Sequence, residues 1–240
     1  VELSASPDLL VKYRLESLER YYVEKDASED ANCPAGYVLN CHPQIGKQLE
    51  NIIQYGFTGQ NILNAYNVLR YGYAHNNSTY IEHARKITDF FADKIHIRES
   101  GIFYNLYNVD MKKVNFWWTG LLLPVAYAQG DELQRLMGPL YDHKKDVIDE
   151  LSTLEGAYLR CMNEDATALL RIYRYELAKG NNHENWITAV KNYCEFLLRA
   201  QEEDGSWYRA YDTSGKPIIN PEIWFGATIY EKKSSTGTSI

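Results

Sequence analysis

The segment DATALLRIYRY at residues 165–175 decides the fold, because residues 61–71, NILNAYNVLRY, match it at one constant spacing. The same spacing returns further along both segments. The matched pairs include Arg70 and Arg174, Tyr71 and Tyr175, Gly101 and Gly205, and Tyr107 and Tyr211. Self-similarity at a constant spacing is typical of arrays built from one repeated unit. The chain is therefore predicted to contain two copies of one structural unit.

Each copy has the pattern of two helices joined by a short turn and followed by a long loop. In the second copy, a nearly all-apolar run from Ala166 to Leu177 predicts a buried helix, and a polar turn follows at residues 180–183. The next helix is predicted to bury a stripe formed by Val190, Tyr193, Cys194, Leu197 and Leu198. The first copy has the same order, with helices over residues 66–73 and 81–95 and a loop over residues 98–115.

Further helices are predicted outside the two copies. N-terminal helices are expected over residues 7–22 and 44–55, and another pair over residues 121–128 and 133–154. Buried helices that alternate with outer helices form a barrel of two rings. The sequence thus predicts an all-α fold, an α/α toroid of the six-hairpin type, here incomplete with about four helical hairpins. Residues 1–240 are expected to form a single toroid domain that is either truncated or continued beyond Ile240, where another buried helix is predicted to begin.

Composition and charge disfavour two classes of partner. The 240 residues carry a net charge of −7 and no basic stripe, which argues against binding to nucleic acid. The longest apolar run, residues 121–128, is far too short to cross a membrane. The 20 tyrosines favour flat, partly solvated rings that also form hydrogen bonds. The sequence leaves the oligomeric state open and does not decide between a cytoplasmic and a secreted location.

No motif for a metal or cofactor is present. The six histidines form no His-Glu-x-x-His pattern, and the four cysteines form no Cys-x-x-Cys pair. Glycine-rich phosphate loops and the Gly-x-Ser-x-Gly elbow are also missing. We therefore expect neither a metal nor a cofactor. Cys161 and Cys194 are expected to be buried thiols, and a bridge between Cys33 and Cys41 is left open.

Residues 201–207, QEEDGSW, have the form Gln-x-x-x-Gly-x-Trp, in which glycine permits a sharp exit from a helix. This element resembles one found in the six-hairpin glycosidase superfamily, which is built on α/α toroids. It also resembles an element of the terpenoid cyclases, but their Asp-rich motif is missing here. The resemblance covers residues 58–240. It implies an α/α toroid whose substrate is a carbohydrate.

In such a barrel, the long loops and the starts of the inner helices open on one face. The candidate site is thereby narrowed to residues 35–58, 98–120, 156–165 and 204–237. Glycoside hydrolysis requires two carboxyls across a cleft. Asp165 is placed at a helix start, which favours the ionised form and a role as base, while the apolar setting of Glu222 suits an acid. A helix cap for Asp165 and an ordinary loop position for Glu222 are the alternatives.

Aromatic and basic side chains of the same segments are candidates for substrate binding. Flat rings stack on sugars, and arginine binds a carboxylate through two parallel hydrogen bonds. The predicted set is Trp117, Trp118, Tyr107, Tyr208, Tyr211, Trp224 and Arg209. Plain core packing is an equal alternative for the two adjacent tryptophans.

These residues favour a glycoside hydrolase in which Asp165 and Glu222 act with an activated water on an oligo- or polysaccharide, with inversion at the sugar. One alternative is a polysaccharide lyase on uronic-acid polymers, with His42, Asn105 and Tyr107 as its proton-transfer candidates. The other is a helical-repeat domain that binds carbohydrate or protein without catalysis.

Overall fold

The computed structural model describes residues 6–38, 51–56, 60–115, 156–208 and 210–218. Helices dominate these ranges, and the strands are only three residues long. The helices are α1 (Pro7–Glu19), α2 (Asn61–Ala74), α3 (Ser78–Phe90), α4 (Leu159–Ala178) and α5 (Glu184–Ala200), with a π-helical turn at Phe91–Ile95. The strands are β1 (Tyr22–Glu24), β2 (Ala35–Tyr37), β3 (Ile52–Gln54), β4 (Leu106–Asn108), β5 (Lys113–Asn115), β6 (Gly156–Tyr158) and β7 (Ala210–Asp212).

The two matched segments form two helical hairpins, α2–α3 and α4–α5. The first helices of the hairpins, α2 and α4, pack against each other. They run in the same direction, because the backbone N–H of Gly56 reaches Asp165 near their starts while Asn181 reaches Tyr73 near their ends. The long connections therefore meet at one end of this helix pair, and the short turns meet at the other.

The buried face of α4 is narrower than predicted, and the buried face of α5 is rotated relative to the prediction. In α4, the residues with less than 2% exposure recur at helical spacing, and they are Leu159, Met162, Asp165, Leu169, Ile172 and Glu176. Leu170 and Leu177 are exposed, so the prediction that this helix is buried around most of its girth is wrong. In α5, the rings of Trp186, Tyr193 and Phe196 occupy the core. They rotate the buried face away from Cys194 and Leu198, which are exposed although the sequence placed them inside.

The helix predicted over residues 44–55 is wrong in its described part. Ile52–Gln54 is strand β3, which pairs antiparallel with β4, and β4 pairs antiparallel with β5. Helical periodicity of apolar residues is a local signal. This strand instead exists because a distant segment forms hydrogen bonds with its backbone N–H and C=O groups. Residues 39–50 lie outside the described ranges, as do the predicted helices at 121–128 and 133–154 and the one expected near Ile240.

Short strands join, in two separate pairs, the four segments that the sequence assigned to the site-bearing face. Strand β3, from residues 35–58, pairs with β4, from residues 98–120. Strand β6, from residues 156–165, pairs antiparallel with β7, from residues 204–237. No helix in the described part of the chain has the length and apolar character needed to cross a membrane.

Gly101 is a position where the backbone requires glycine, and replacing it should destabilise the fold. Its φ is +85°, and a Cβ atom would lie 2.4 Å from the backbone oxygen of Asn192 in α5. Gly180 has a similar φ of +87°, but a Cβ atom added there would meet nothing within 4 Å, so this position isolates the backbone strain.

We expect Gly180→Ala to lower the free energy of unfolding by about 1 kcal/mol, and Gly101→Ala to lower it by about 2 kcal/mol more. Urea unfolding of both variants measures the difference. Equal losses in the two variants would contradict the close approach of the loop to α5.

Candidate functional site

A cleft of about 270 Å³ lies where the starts of α2 and α4 meet. One wall consists of Gly56, Gln60 and Leu63. The other is a polar stripe of α4 with helical spacing, formed by Arg160, Glu164, Thr167 and Arg171. Asn163 and Asp165 border the same cleft. The cleft therefore lies between two of the four segments from which the sequence predicted the site.

Asp165 is held inside the protein by a contact between the two hairpins. Its Oδ1 accepts a hydrogen bond of 2.8 Å from the backbone N–H of Gly56, and the residue is 1% exposed. Helix α4 begins at Leu159, directly after β6, so Asp165 lies in the second turn of the helix. The interpretation of Asp165 as a helix cap is therefore wrong, because the pairing of β6 with β7 sets the start of the helix earlier.

The environment of Asp165 favours the protonated carboxyl. Burial raises the pKa of Asp165 well above its usual range, and the nearby negative charge of Glu164 raises it further. The N–H of Gly56 acts in the opposite direction but is outweighed. Since the helix start is six residues away, the effect expected to keep this group ionised is weak. The arrangement therefore suits an acid rather than the base that the sequence indicated.

Several buried polar atoms around Asp165 have no hydrogen-bond partner among the described residues. They are Oη of Tyr55, Nδ2 of Asn163, Oε2 of Glu164 and Oδ2 of Asp165. The other atoms of these side chains are held in place: Oδ1 of Asn163 accepts a 2.5 Å bond from the Tyr193 hydroxyl, and Oε1 of Glu164 accepts a 3.0 Å bond from Arg160. Buried polar groups are normally satisfied. Any hydrogen-bond partners of these four atoms therefore lie outside the described residues.

Tyr107 and Tyr211 are not on the cleft wall. Both rings are buried, and each packs edge-on against a phenylalanine at 5.0 Å, Phe90 for Tyr107 and Phe196 for Tyr211. Burial raises the pKa of each tyrosine to about 12. These rings stabilise the loops, because they pack against Phe90 of α3 and Phe196 of α5.

The remaining predicted residues are placed as follows. Tyr208 is half-buried, and its backbone N–H donates a 2.9 Å hydrogen bond to the Tyr211 hydroxyl. Trp117, Trp118, Arg209, Glu222 and Trp224 lie outside the described residues, as does His42. Asn105 is buried, and its side-chain amide has no hydrogen-bond partner among the described residues. Its backbone carbonyl accepts a hydrogen bond from the backbone N–H of Tyr55. The hydroxyl of Tyr107 donates to Asp30, and its raised pKa opposes use as a base in lyase chemistry.

Several residues of the cleft were not singled out from the sequence, among them Gly56, Gln60, Asn163 and Arg171. The helical spacing of Arg160, Glu164, Thr167 and Arg171 was a usable signal, but the helix was assumed to begin later. Gln60 has a left-handed φ of +43°, which only the coordinates reveal. Strained backbone of this kind is concentrated at functional sites.

Comparisons with known proteins give similarity only at the level of structure. No family model and no curated protein matches the sequence. The chain is similar to a solved structure of a GH76 alpha-mannanase from Bacteroides thetaiotaomicron, with 9% identity and a TM-score of 0.36. It is also similar to a D-mannose isomerase, with 12% identity and a TM-score of 0.33. Both have the six-hairpin glycosidase-like fold that the sequence resembles. Each match covers 88% of this chain, which spans 60% of the other protein.

Proposed function

We propose that this protein is a carbohydrate-active enzyme of the glycoside hydrolase type, with Asp165 as its general acid. The observation that carries the proposal is the buried Asp165 carboxyl, which borders an open cleft and has one oxygen without a partner among the described residues. A carboxyl whose pKa is raised by burial keeps its proton near neutral pH and donates it to a leaving-group oxygen.

The cleft supplies further groups for this reaction. The N–H of Gly56 orients the Asp165 carboxyl, so that Oδ2 is the atom that transfers the proton. Nδ2 of Asn163 and Oε2 of Glu164 are buried and have no partner among the described residues, which makes them candidates for hydrogen bonds to sugar hydroxyls. Arg171 lies on the same wall and adds a cationic group.

A hydrolase also requires a second carboxyl, which activates water. Glu176 lies on the same face of α4, but eleven residues of helix place it about 16 Å from Asp165, beyond the separation that glycosidases use. We therefore propose Glu222, the other carboxyl that the sequence singled out, as the second carboxyl. Its role is then that of the base, and not that of the acid that its apolar sequence setting indicated.

The pH dependence of turnover tests this assignment. The full-length protein is incubated with a panel of oligosaccharides that includes mannosides and uronides, and new reducing ends are measured across the pH range. Because the acid works only while protonated, kcat/KM should fall as the pH rises through the elevated pKa of Asp165. Ultraviolet-absorbing unsaturated products would point to a lyase instead. Binding without turnover would contradict an enzymatic role and support a carbohydrate-binding domain.

A further inference from the structure

A larger groove between α1 and α2 lies next to the cleft at Asp165. Gln60 and Leu63 border both spaces, so the two lie side by side along α2. The groove has a volume of about 1070 Å³, against about 270 Å³ for the cleft. The larger value is at the upper end of the range seen for pockets that hold drug-sized ligands. A ligand longer than a single sugar unit therefore has room to extend from Asp165 along α2.

One wall of the groove is a polar stripe of α2. Gln60, Asn64, Asn67 and Tyr71 are spaced so that they share one face of the helix. Amide groups both donate and accept hydrogen bonds, which suits sugar hydroxyls, and the tyrosine adds an aromatic ring. The opposite wall, from α1, is more apolar and includes Leu10, Leu15 and Leu18. Mixed walls of this kind suit a sugar chain, which has both hydroxyls and apolar ring faces.

The charge of the two adjacent spaces differs in sign from the net charge of the chain. Arg14 and Arg70 line the groove, and Arg160 and Arg171 line the cleft. The acids present are Glu164, which is paired with Arg160, and the buried Asp165. Within the described ranges, no ion pair is formed by Arg14, Arg70 or Arg171. Among the described residues, positive charge therefore exceeds negative charge in these two spaces, although the chain has a net charge of −7.

We propose that the groove binds an anionic oligosaccharide, with the cleaved linkage at Asp165 and the carboxylate- or sulfate-bearing units lying along α2. This inference rests on the proposed function for the reaction at Asp165. Arginine is the side chain best suited to such oxyanions, because its guanidinium donates two parallel hydrogen bonds. The positive charge also attracts an anionic chain toward an otherwise acidic protein.

Binding measurements on the full-length protein test the charge preference directly. The probes are short oligogalacturonides, the same oligosaccharides after reduction of their carboxyls to alcohols, and a sulfated galactose oligosaccharide. We expect one of the two anionic probes to bind about tenfold more tightly than the neutral one at low salt, with the difference shrinking as salt is added. Which anionic probe binds identifies the oxyanion.

Charge-removing variants locate the effect in the groove. Arg14→Gln and Arg70→Gln should each weaken anionic binding about threefold, and together about tenfold, with no effect on the neutral probe. Arg174→Gln is the matched control, because it removes an exposed arginine at the position of α4 equivalent to Arg70 and outside the groove. Equal binding of neutral and anionic probes, or an equal loss in Arg174→Gln, would overturn the proposal.

Turnover of the same probes by Asp165→Asn separates this inference from the proposed function. If Asp165→Asn loses turnover but the protein binds neutral and anionic probes equally, the assignment of Asp165 as the acid stands and the anionic binding groove is rejected. Charge-selective binding with undiminished turnover would reject the acid assignment and retain an anionic glycan site.

Discussion

Asp165→Asn is expected to reduce turnover of a glycan substrate about a thousandfold while the protein stays folded. Asparagine has nearly the same shape and keeps an oxygen that accepts the 2.8 Å hydrogen bond from Gly56. It has no acidic proton to donate to a leaving group. The substitution therefore separates a chemical role from a purely structural one, and the measurement is kcat/KM of the variant against the unaltered protein.

The same variant makes a prediction about stability. Because the pKa of Asp165 is higher in the folded than in the unfolded chain, the folded state loses stability as the pH rises above the ordinary aspartate range. Asparagine does not ionise, so Asp165→Asn should lose less stability than the unaltered protein between acidic and mildly alkaline pH. Thermal unfolding at several pH values measures this difference.

The control is Glu195→Gln, which removes an exposed carboxyl from α5 and should change neither turnover nor this pH dependence. Undiminished turnover in Asp165→Asn would show that Asp165 only links α4 to the segment before α2.

Arg85→Met is expected to lower the free energy of unfolding by about 4 kcal/mol. Arg85 of α3 donates hydrogen bonds of 2.9 and 2.7 Å from Nε and a terminal nitrogen to Oε2 of Glu176. His183 lies 3.1 Å from the same oxygen, just before α5. The Glu176 side chain is fully buried at 0% exposure, so removal of Arg85 would leave a buried carboxylate with insufficient compensation.

The two partners of this pair should not be equivalent. The side chain of Arg85 is 35% exposed, so in Glu176→Met the remaining guanidinium is still reached by water and the loss should be smaller. The double variant, with methionine at both positions, should be more stable than Arg85→Met alone, because no unpaired charge is left inside. Urea unfolding of the three variants completes the cycle. A double variant less stable than Arg85→Met would contradict this account.

The pH dependence of this pair runs opposite to that of Asp165. Burial opposes ionisation of Glu176, but hydrogen bonds from Tyr73, His183 and Arg85 outweigh it and hold the pKa of Glu176 below its usual value. The stabilisation is therefore present above the ordinary glutamate pKa and is lost as the pH falls through the lower, folded-state value. In Arg85→Met, this acid-sensitive contribution should become smaller, because the hydrogen bonds from Tyr73 and His183 remain.

The two hairpins could be predicted from the sequence because their signal is local. The apolar spacing within residues 61–95 and 165–200 reports on the faces of a helix, whatever the rest of the chain does. Strand β3 could not be predicted, because it depends on pairing with β4, some fifty residues away in the chain. The exposure of Cys194 and Leu198 was also missed, since the rotation of α5 follows from how its larger rings pack.

The candidate site divides along the same line. Asp165 was singled out from the sequence alone, as a carboxyl near the start of a helix on the face where long loops gather. The protonation state of Asp165 could not be predicted from the sequence. Its burial beside Gly56 and the early start of α4 arise from contacts between distant segments. Tyr107 and Tyr211 were named for the chemistry of their rings, but α3 and α5 cover those rings.

The sequence by itself determined which segments form the hairpins and which carboxyl to examine, because residue spacing and residue type belong to the chain. Only the tertiary structure decided which side chains meet at the cleft and whether the Asp165 carboxyl is protonated or ionised. Proximity and solvation are properties of packed segments, and the pKa of a carboxyl follows the solvent and charges that packing leaves around it.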